Sequence, residues 1–303
     1  MDHQGFLVSV SRYAQLKGHE GAVYTLSASG NARCILSGGG EGWIAEWDLD
    51  APDKGRLLAR VEAQVFSLLR LSSGEIVAGD MNGGLHWIHS ADPSRNRDVA
   101  HHRKGVFSLL EAGGNLFTAG GEGRITRWSI AEQRSIESLQ LSAQRLRALD
   151  YCPQRHEIAA GSSDGNIYIL DAGTLDLRYT LERAHTSSVF AVRYSPDGQR
   201  LFSGGRDAML RAWDPGSNWQ VGFAEPAHWF TINAIAVHPE RPLFATASRD
   251  KTIKIWDVQS LRLYKVLEPF RDKGHPHSVN ALLWMDNYLI SASDDRTLIV
   301  WNV

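Results

Sequence analysis

One short pattern recurs along this chain at a nearly constant interval. Each copy has an apolar segment, a tight turn rich in Gly or Ser, an acidic residue in most copies, an alternating segment and a large apolar residue. The copies occupy residues 36–48, 77–89, 117–129, 159–171, 202–214, 245–257 and 291–302. The large apolar residues, about 40 to 45 positions apart, are Trp47, Ile88, Trp128, Leu170, Trp213, Trp256 and Trp301. This period indicates a repeat architecture whose units bury each other's apolar faces.

The sixth copy shows how a repeat is built from strands. Residues 232–237 alternate, and the turn sequence His-Pro-Glu-Arg-Pro follows them. The segments 243–247, 252–256 and 262–267 complete the repeat. Alternating segments bounded by turn residues predict β-strands rather than helices.

Period and motif together resemble the WD40-repeat family. The resemblance implies an all-β fold, a seven-bladed β-propeller with four antiparallel strands per blade. Residues 1–303 are then one propeller, in which 17–303 hold the seven repeats and 1–16 precede them.

The seventh repeat ends at Val303, before a fourth strand. Residues 6–13 (FLVSVSRY) read as a strand without a blade of its own, rich in β-branched residues. WD40 proteins commonly close the ring with such an N-terminal strand. We therefore expect 6–13 to pair beside 298–301 and to cover an exposed edge.

Most repeats also carry a His before the first strand and a Ser or Thr four residues before the acid. By resemblance to the family, these residues form a hydrogen-bonded tetrad with the Trp. The expected tetrads are His185, Ser203, Asp207 and Trp213; His228, Thr246, Asp250 and Trp256; and His275, Ser291, Asp295 and Trp301. A buried indole donor needs such a partner. The Ser, His and Asp of a tetrad are also the residue types of a hydrolase catalytic triad. Because the set recurs on several blades and lacks a nucleophile-elbow context, we interpret it as structural.

The remaining repeats fit the tetrad pattern less well. Glu41 and Glu122 replace the Asp in the first and third repeats, which leaves those two tetrads in doubt. The second and fourth repeats lack the His and the Trp at these positions, so we expect apolar packing alone to hold their blades.

Composition narrows the class of protein. The formal net charge is −2, without a long basic run, so a nucleic-acid partner is not indicated. Cys34 and Cys152 form no disulfide framework, and neither a signal peptide nor an apolar membrane span is visible. We expect a cytoplasmic protein, monomeric as an isolated domain, that does not enter membranes. The His pairs at 86/89, 101/102 and 275/277 lack further ligands at known spacing, so neither a metal nor a cofactor is predicted.

The resemblance also places a candidate binding face at one mouth of the propeller channel. Positions at the start of each innermost strand, two places earlier, and just before the motif acid would surround this mouth. The candidate partner-binding residues are Tyr24, Phe66, Met81, Phe107, Arg145, Arg147, Phe190, Arg206, Trp229, Asn233, Arg249, Asn280 and Asp294. Aromatic residues concentrate on blades 1 to 3 and arginines on blades 4 to 6. Aromatic and Arg anchors dominate binding energy at interfaces.

The sequence therefore predicts a non-catalytic protein or peptide interaction module, a scaffold rather than an enzyme. A plug of mutually packed aromatic rings is the alternative interpretation of the channel mouth. A reader of an acidic, phosphorylated or nucleic-acid ligand through the arginines is a second functional alternative. An enzyme at the propeller face is a third, which a cluster of acids, His or metal ligands would favour; the predicted rings hold one acid, Asp294, and no His.

Overall fold

Strands dominate residues 9–31 and 33–303, the part of the chain that the computed structural model describes. The first, β1 (Ser11–Lys17), belongs to the last sheet. Blades 1 and 2 contain β2 (Val23–Ala28), β3 (Cys34–Gly39), β4 (Trp43–Asp48) and β5 (Gly55–Arg60), then β6 (Val65–Arg70), β7 (Ile76–Asp80), β8 (Gly84–Ile88) and β9 (Arg97–Ala100). Blades 3 and 4 contain β10 (Val106–Ala112), β11 (Asn115–Gly120), β12 (Arg124–Ser129) and β13 (Arg134–Gln140), then β14 (Leu146–Cys152), β15 (Glu157–Ser162), β16 (Ile167–Asp171) and β17 (Leu177–Leu181).

The last three blades follow the same order. Blades 5 and 6 contain β18 (Val189–Tyr194), β19 (Leu201–Gly205), β20 (Met209–Asp214) and β21 (Gln220–Pro226), then β22 (Ile232–Val237), β23 (Leu243–Ser248), β24 (Ile253–Asp257) and β25 (Leu263–Leu267). Blade 7 contains β26 (Val279–Met285), β27 (Tyr288–Ser293) and β28 (Thr297–Asn302), with β1 outside β28. In the described residues, the helical segments are the three-residue 3-10 turns Pro93–Arg95 and Pro215–Ser217.

The seven sheets form a closed ring. The innermost strand of each blade contacts that of the next, and β26 contacts β2. Seven apolar clusters fill the seven spaces between adjacent blades. Because both faces of a blade are covered, second strands such as β3 are buried along their whole length. The predicted seven-bladed β-propeller of four-stranded antiparallel sheets is confirmed.

Closure by the N-terminal strand is also confirmed, but the predicted bounds were wrong. The strand spans Ser11–Lys17, and its register pairs Ser11 with Asn302 and Lys17 with Thr297. Within this strand the fully buried side chain is that of Leu16, near its C-terminal end, which pairs with Leu298. Residues 6–8 of the predicted strand lie outside the described residues.

Candidate functional site

Every innermost strand carries a β-bulge at its second residue. In blade 1 the pairing with β3 skips from Val23 to Thr25, leaving Tyr24 unpaired. The bulged residues are Tyr24, Phe66, Phe107, Arg147, Phe190, Asn233 and Asn280. A bulge redirects a side chain out of the regular ladder, and all seven line one central cavity of about 330 Å³. The strand-start positions predicted from the repeat are therefore brought together.

One backbone hydrogen bond, repeated in every blade, ties a hairpin turn to the residue two places before each bulge. In blade 1 the Gly40 amide donates to the Ala22 carbonyl at 2.8 Å. The other donors are Met81, Gly121, Ser163, Arg206, Arg249 and Asp294, bonded respectively to Gln64, Gly105, Arg145, Ser188, Thr231 and Ser278. The three predicted sets of positions thus share one end of the cavity, called here the channel mouth.

The aromatic residues of blades 1 to 3 pack on one another. The ring centroids of Tyr24 and Phe66 are 5.3 Å apart, edge to face. Phe66 then stacks on Phe107, with centroids 5.4 Å apart and planes inclined by 18°. These three residues, the aromatic arc, fix one another while leaving part of each ring exposed.

Arg147 of blade 4 lies between two phenyl rings. Its guanidinium carbon is 4.7 Å from the ring centroids of both Phe107 and Phe190, and its Nε donates to Ser163 Oγ at 3.0 Å. Burial, together with the neighbouring positive charges of Arg145 and Arg206, lowers the pKa of Arg147 to about 10. The side chain remains a cation at neutral pH, held in a fixed position.

Asparagines complete the ring of bulged residues. Asn233 Nδ2 donates to Ser278 Oγ at 3.0 Å and to the Val279 carbonyl at 2.9 Å. Asn280 Nδ2 donates to Asp294 Oδ1 at 2.7 Å. The carboxylate of Asp294 is thus hydrogen-bonded within blade 7, on the side of the ring away from Arg147.

Three more arginines lie on one side of the channel mouth, on blades 4 to 6. Arg145, Arg206 and Arg249 are exposed. Within residues 9–31 and 33–303, their guanidinium groups form neither an ion pair nor a hydrogen bond. Together with Arg147 they form what we call the arginine arc, a set of guanidinium groups without an ion-pair partner among the described residues.

Large apolar side chains are exposed beside both arcs. Trp229, in the loop before blade 6, is 87% exposed, and its neighbour Phe230 is 58% exposed. The loop is anchored by the Trp229 amide, which donates to Asp250 Oδ2 at 3.0 Å. Met81, in the turn of blade 2, is 48% exposed. Exposed aromatic side chains on a fixed loop are typical of interaction surfaces.

The buried polar chain of each tetrad is clearest in blade 7. Trp301 Nε1 donates to Ser291 Oγ at 3.0 Å, and this hydroxyl lies 2.9 Å from His275 Nε2. His275 Nδ1 lies 2.7 Å from Asp295 Oδ2. Since a carboxylate only accepts, Nδ1 carries the proton and Nε2 accepts from the hydroxyl. The imidazole therefore joins the second strand of its blade, β27, to the turn that follows it.

The same contacts recur in blades 5 and 6. Ser203 Oγ is 2.8 Å from His185 Nε2 and 2.9 Å from Trp213 Nε1, while Asp207 is 2.8 Å from His185 Nδ1. In blade 6 the corresponding residues are Thr246, His228, Trp256 and Asp250. The hydroxyl-bearing side chains are fully buried, which keeps them from any substrate at the surface.

The doubt about the first and third repeats was unfounded. His19 contacts both Glu41 and Ser37, and His102 lies 2.6 Å from Glu122 Oε1. The longer acid reaches the imidazole from the same turn position.

This blade geometry agrees with a comparison of the sequence with known families. The family model described as "WD domain, G-beta repeat" matches residues 10–48, 176–214, 223–257 and 266–302. Each matched segment starts on or just before the outermost strand of one blade and ends in the third strand of the next.

The chain belongs to the WD40-repeat family.

Curated relatives share part of the sequence with this WD40 chain. The chain is 27% identical over 176 residues to mouse echinoderm microtubule-associated protein-like 4, and 27% identical over 174 residues to the human protein of that name. Each match covers 54% of this chain and 17% of the relative. The chain thus matches less than one fifth of the length of these relatives.

Blades 2 and 4 depart from the WD40 tetrad, as expected, but the prediction of apolar packing alone was wrong. In blade 2, Asp80 accepts from the Gly84 amide at 2.8 Å and lies 3.0 Å from His86 Nε2, while His86 Nδ1 lies 2.6 Å from Asp98. In blade 4, Asp164 accepts from Tyr168 at 2.7 Å. A carboxylate at the end of the second strand in blade 2, or in the turn after it in blade 4, therefore still anchors each of these blades.

One residue of the WD40 channel mouth, and the contacts that two of the predicted positions make, were missed in the sequence. Phe230 extends the exposed surface of Trp229, and an adjacent aromatic pair in a loop is the signal that could have revealed it. Ser163 and Ser188 join the arginines through backbone and side-chain contacts. Their role depends on contacts between blades, which no local pattern encodes.

No helix of the described residues is long and apolar enough to span a membrane.

Proposed function

We propose that this chain is a non-catalytic protein-interaction module that binds an extended peptide segment of a partner at the channel mouth. The observation that carries the proposal is the set of seven bulged residues around one cavity. They include the aromatic arc on one side, and on the other side Arg147, which lies near Arg145 and Arg206 in the arginine arc. A rigid ring of sheets holds these groups in place, so binding requires little ordering of this chain's own side chains.

The two arcs suggest how a peptide would lie. An apolar side chain would contact the aromatic arc near Phe66, and an acidic group would reach the arginine arc near Arg206. The exposed Trp229 would extend the apolar contact beyond the mouth.

Mutual packing of the aromatic rings is compatible with this function. Tyr24, Phe66 and Phe107 pack on one another in sequence, and a central cavity remains open beside them. Their outer faces remain partly exposed, and such packing preorganises a binding surface. The buried Ser-His-acid sets hold the blades together, which supports a non-catalytic role.

The experiment is a comparative pull-down followed by mass spectrometry. The bait is wild type or the double variant Phe66→Ala/Arg206→Glu, with Phe107→Ala/Arg147→Glu as a second probe. A matched control, Leu57→Ala/Arg56→Glu, places the same changes on the exposed outer strand β5. We expect partners recovered by wild type and control to be lost from both channel-mouth variants. Equal recovery by all four baits rules out this face.

Association with microtubules is a second candidate function. It is supported by the likeness to relatives whose name describes microtubule association, over 54% of this chain. Co-sedimentation of the full chain with polymerised tubulin tests it. Pelleting above the level without polymer is the expected result, and its absence across a range of salt concentrations excludes this candidate.

A further inference from the structure

The arginines of blades 4 and 5 are connected by a continuous line of hydrogen bonds. The Ser163 amide donates to the Arg145 carbonyl at 2.8 Å, and Ser188 Oγ donates to the Ser163 carbonyl at 3.4 Å. The Arg206 amide then donates to the Ser188 carbonyl at 2.8 Å. Arg147 joins this line through Ser163 Oγ. These hydrogen bonds therefore hold the backbone positions of Arg145, Arg147 and Arg206 next to one another.

This arrangement concentrates positive charge at one place. Burial, with added repulsion from Arg145 and Arg206, lowers the pKa of Arg147 to about 10. Among the described residues, the acid of the channel mouth, Asp294, is bonded to Asn280 on blade 7. Like charges held together without an anion oppose folding, so the cluster is better suited to a bound state than to an empty one.

We propose that the arginine arc is a binding site for a phosphorylated side chain of the partner peptide. The proposal rests on the proposed function and names the anion that the channel mouth recognises. Guanidinium groups bind phosphate through paired, charge-assisted hydrogen bonds. A phosphorylated side chain carries nearly two negative charges and three acceptor oxygens, which match several converging arginines better than one carboxylate does.

Nucleic acid matches this surface less well. Binding along a nucleic-acid backbone uses many phosphate contacts spread over an extended track. The arginine arc is compact, is confined to blades 4 to 6, and belongs to a chain with a formal net charge of −2. A single phosphate in a peptide that also contacts the aromatic arc agrees better with these features.

The test measures binding of the purified chain to a degenerate peptide array. Each position is printed in three forms, with a phosphorylated residue, with its unmodified counterpart and with Glu. The affected variant is Arg145→Ala/Arg206→Ala/Arg249→Ala. The three arginine side chains are exposed and form neither an ion pair nor a hydrogen bond within the described residues, so the variant should fold. The control Arg56→Ala/Arg134→Ala/Arg262→Ala removes the same charge from exposed positions on or beside outermost strands.

We expect wild type and control to prefer phosphorylated peptides over both other forms by at least about tenfold, as charge-assisted hydrogen bonds allow. The affected variant should lose this preference. The phosphate site is wrong if the Glu form binds as tightly as the phosphorylated peptide, or if the control variant loses the preference as the affected variant does. It is also wrong if a 20-nucleotide single strand binds more tightly than the phosphorylated peptides.

The result also separates this proposal from the proposed function. If unmodified peptides bind and Phe66→Ala weakens them, while phosphorylation adds nothing, the peptide face stands and the phosphate site is wrong. If phosphorylated peptides bind and neither Phe66→Ala nor the affected variant changes their affinity, both proposals are wrong.

Discussion

Leu16 pairs with Leu298 in the antiparallel register of blade 7, which joins the two ends of the described chain. Both side chains are fully buried. Leu16 also packs into the apolar cluster between blades 7 and 1, beside Val23 and Trp47. One side chain on an outermost strand therefore contributes both to ring closure and to the core.

Replacing Leu16 with Ala should lower the free energy of unfolding by about 2 to 5 kcal/mol, the usual range for a buried leucine. Urea unfolding followed by tryptophan fluorescence measures the change. Leu57→Ala on β5 is the matched control, because that leucine is 42% exposed, and we expect a change below about 1 kcal/mol. Similar losses in both variants would contradict the role given to Leu16.

Deletion of residues 1–16 should lower the melting temperature sharply or cause aggregation. The deletion removes most of β1 and leaves the edge of β28 unpaired, and such an edge can pair with other chains. Scanning calorimetry and size-exclusion chromatography measure the two effects. An unchanged melt with a monomeric elution profile would show that closure contributes nothing to stability.

The tetrads give a third prediction. Ser203→Ala leaves Trp213 Nε1 and His185 Nε2 without the hydroxyl that both contact. His185 is buried, whereas Trp213 is only partly buried. An orphaned buried group costs about 1 to 3 kcal/mol, so the free energy of unfolding should fall by at least about 1 kcal/mol. Ser135→Ala, at an exposed position on the outermost strand β13, is the control in the same urea titration. Equal stability of the two variants would mean that the buried chain is energetically neutral.

The repeat period was sufficient to predict the ring of blades, because one motif specifies strands, turn and register together. Extrapolation from that motif placed Tyr24 and its equivalents correctly at the starts of the innermost strands. The bounds of β1 were wrong because β-propensity marked residues 6–13, whereas pairing with β28 and burial of Leu16 determine the strand. The bounds of β1 thus depend on its pairing with residues 297–302, at the other end of the sequence.

Local sequence was less informative where side chains interact across blades. The position of Arg147 between Phe107 and Phe190 involves three blades and three bulges. The contact of Asp80 with His86 replaces the WD40 tetrad by residues from a different position of the motif. Neither arrangement follows from hydrophobic period, which reports only which face of a strand is buried.

Acid should destabilise the fold in two stages. Burial lowers the pKa of His185 more than nearby Asp207 raises it. Burial alone would raise the pKa of Asp207, but the hydrogen bond and charge of His185, with backbone amides, hold it well below its usual value. The unfolded chain thus binds more protons than the native one, first below about pH 6.5 and again below about pH 4. The free energy of unfolding should fall with pH in both windows.

Urea titrations between pH 7.5 and 5 measure the first stage. His185→Asn should reduce the slope of stability against pH, whatever its effect on absolute stability. Ser135→Ala, a change at an exposed position without a titratable group, should leave the slope unchanged. A wild-type stability that is constant or rises toward pH 5 would contradict the assignment of His185 as a neutral buried group.

The turn between the second and third strands of a blade gives the last prediction. Gly83 has φ +99°, and an added Cβ would collide with the backbone carbonyl of His102, which belongs to the tetrad of blade 3. Gly83→Ala should therefore cost more than about 1 to 2 kcal/mol, the penalty of a left-handed residue with a Cβ. Ala208 occupies the same turn position in blade 5 with φ +62°. Ala208→Gly should change stability by less than about 1 kcal/mol, because relief of strain offsets the added entropy of the unfolded chain. If urea unfolding gives the two substitutions equal costs, backbone conformation is not what selects Gly in blade 2.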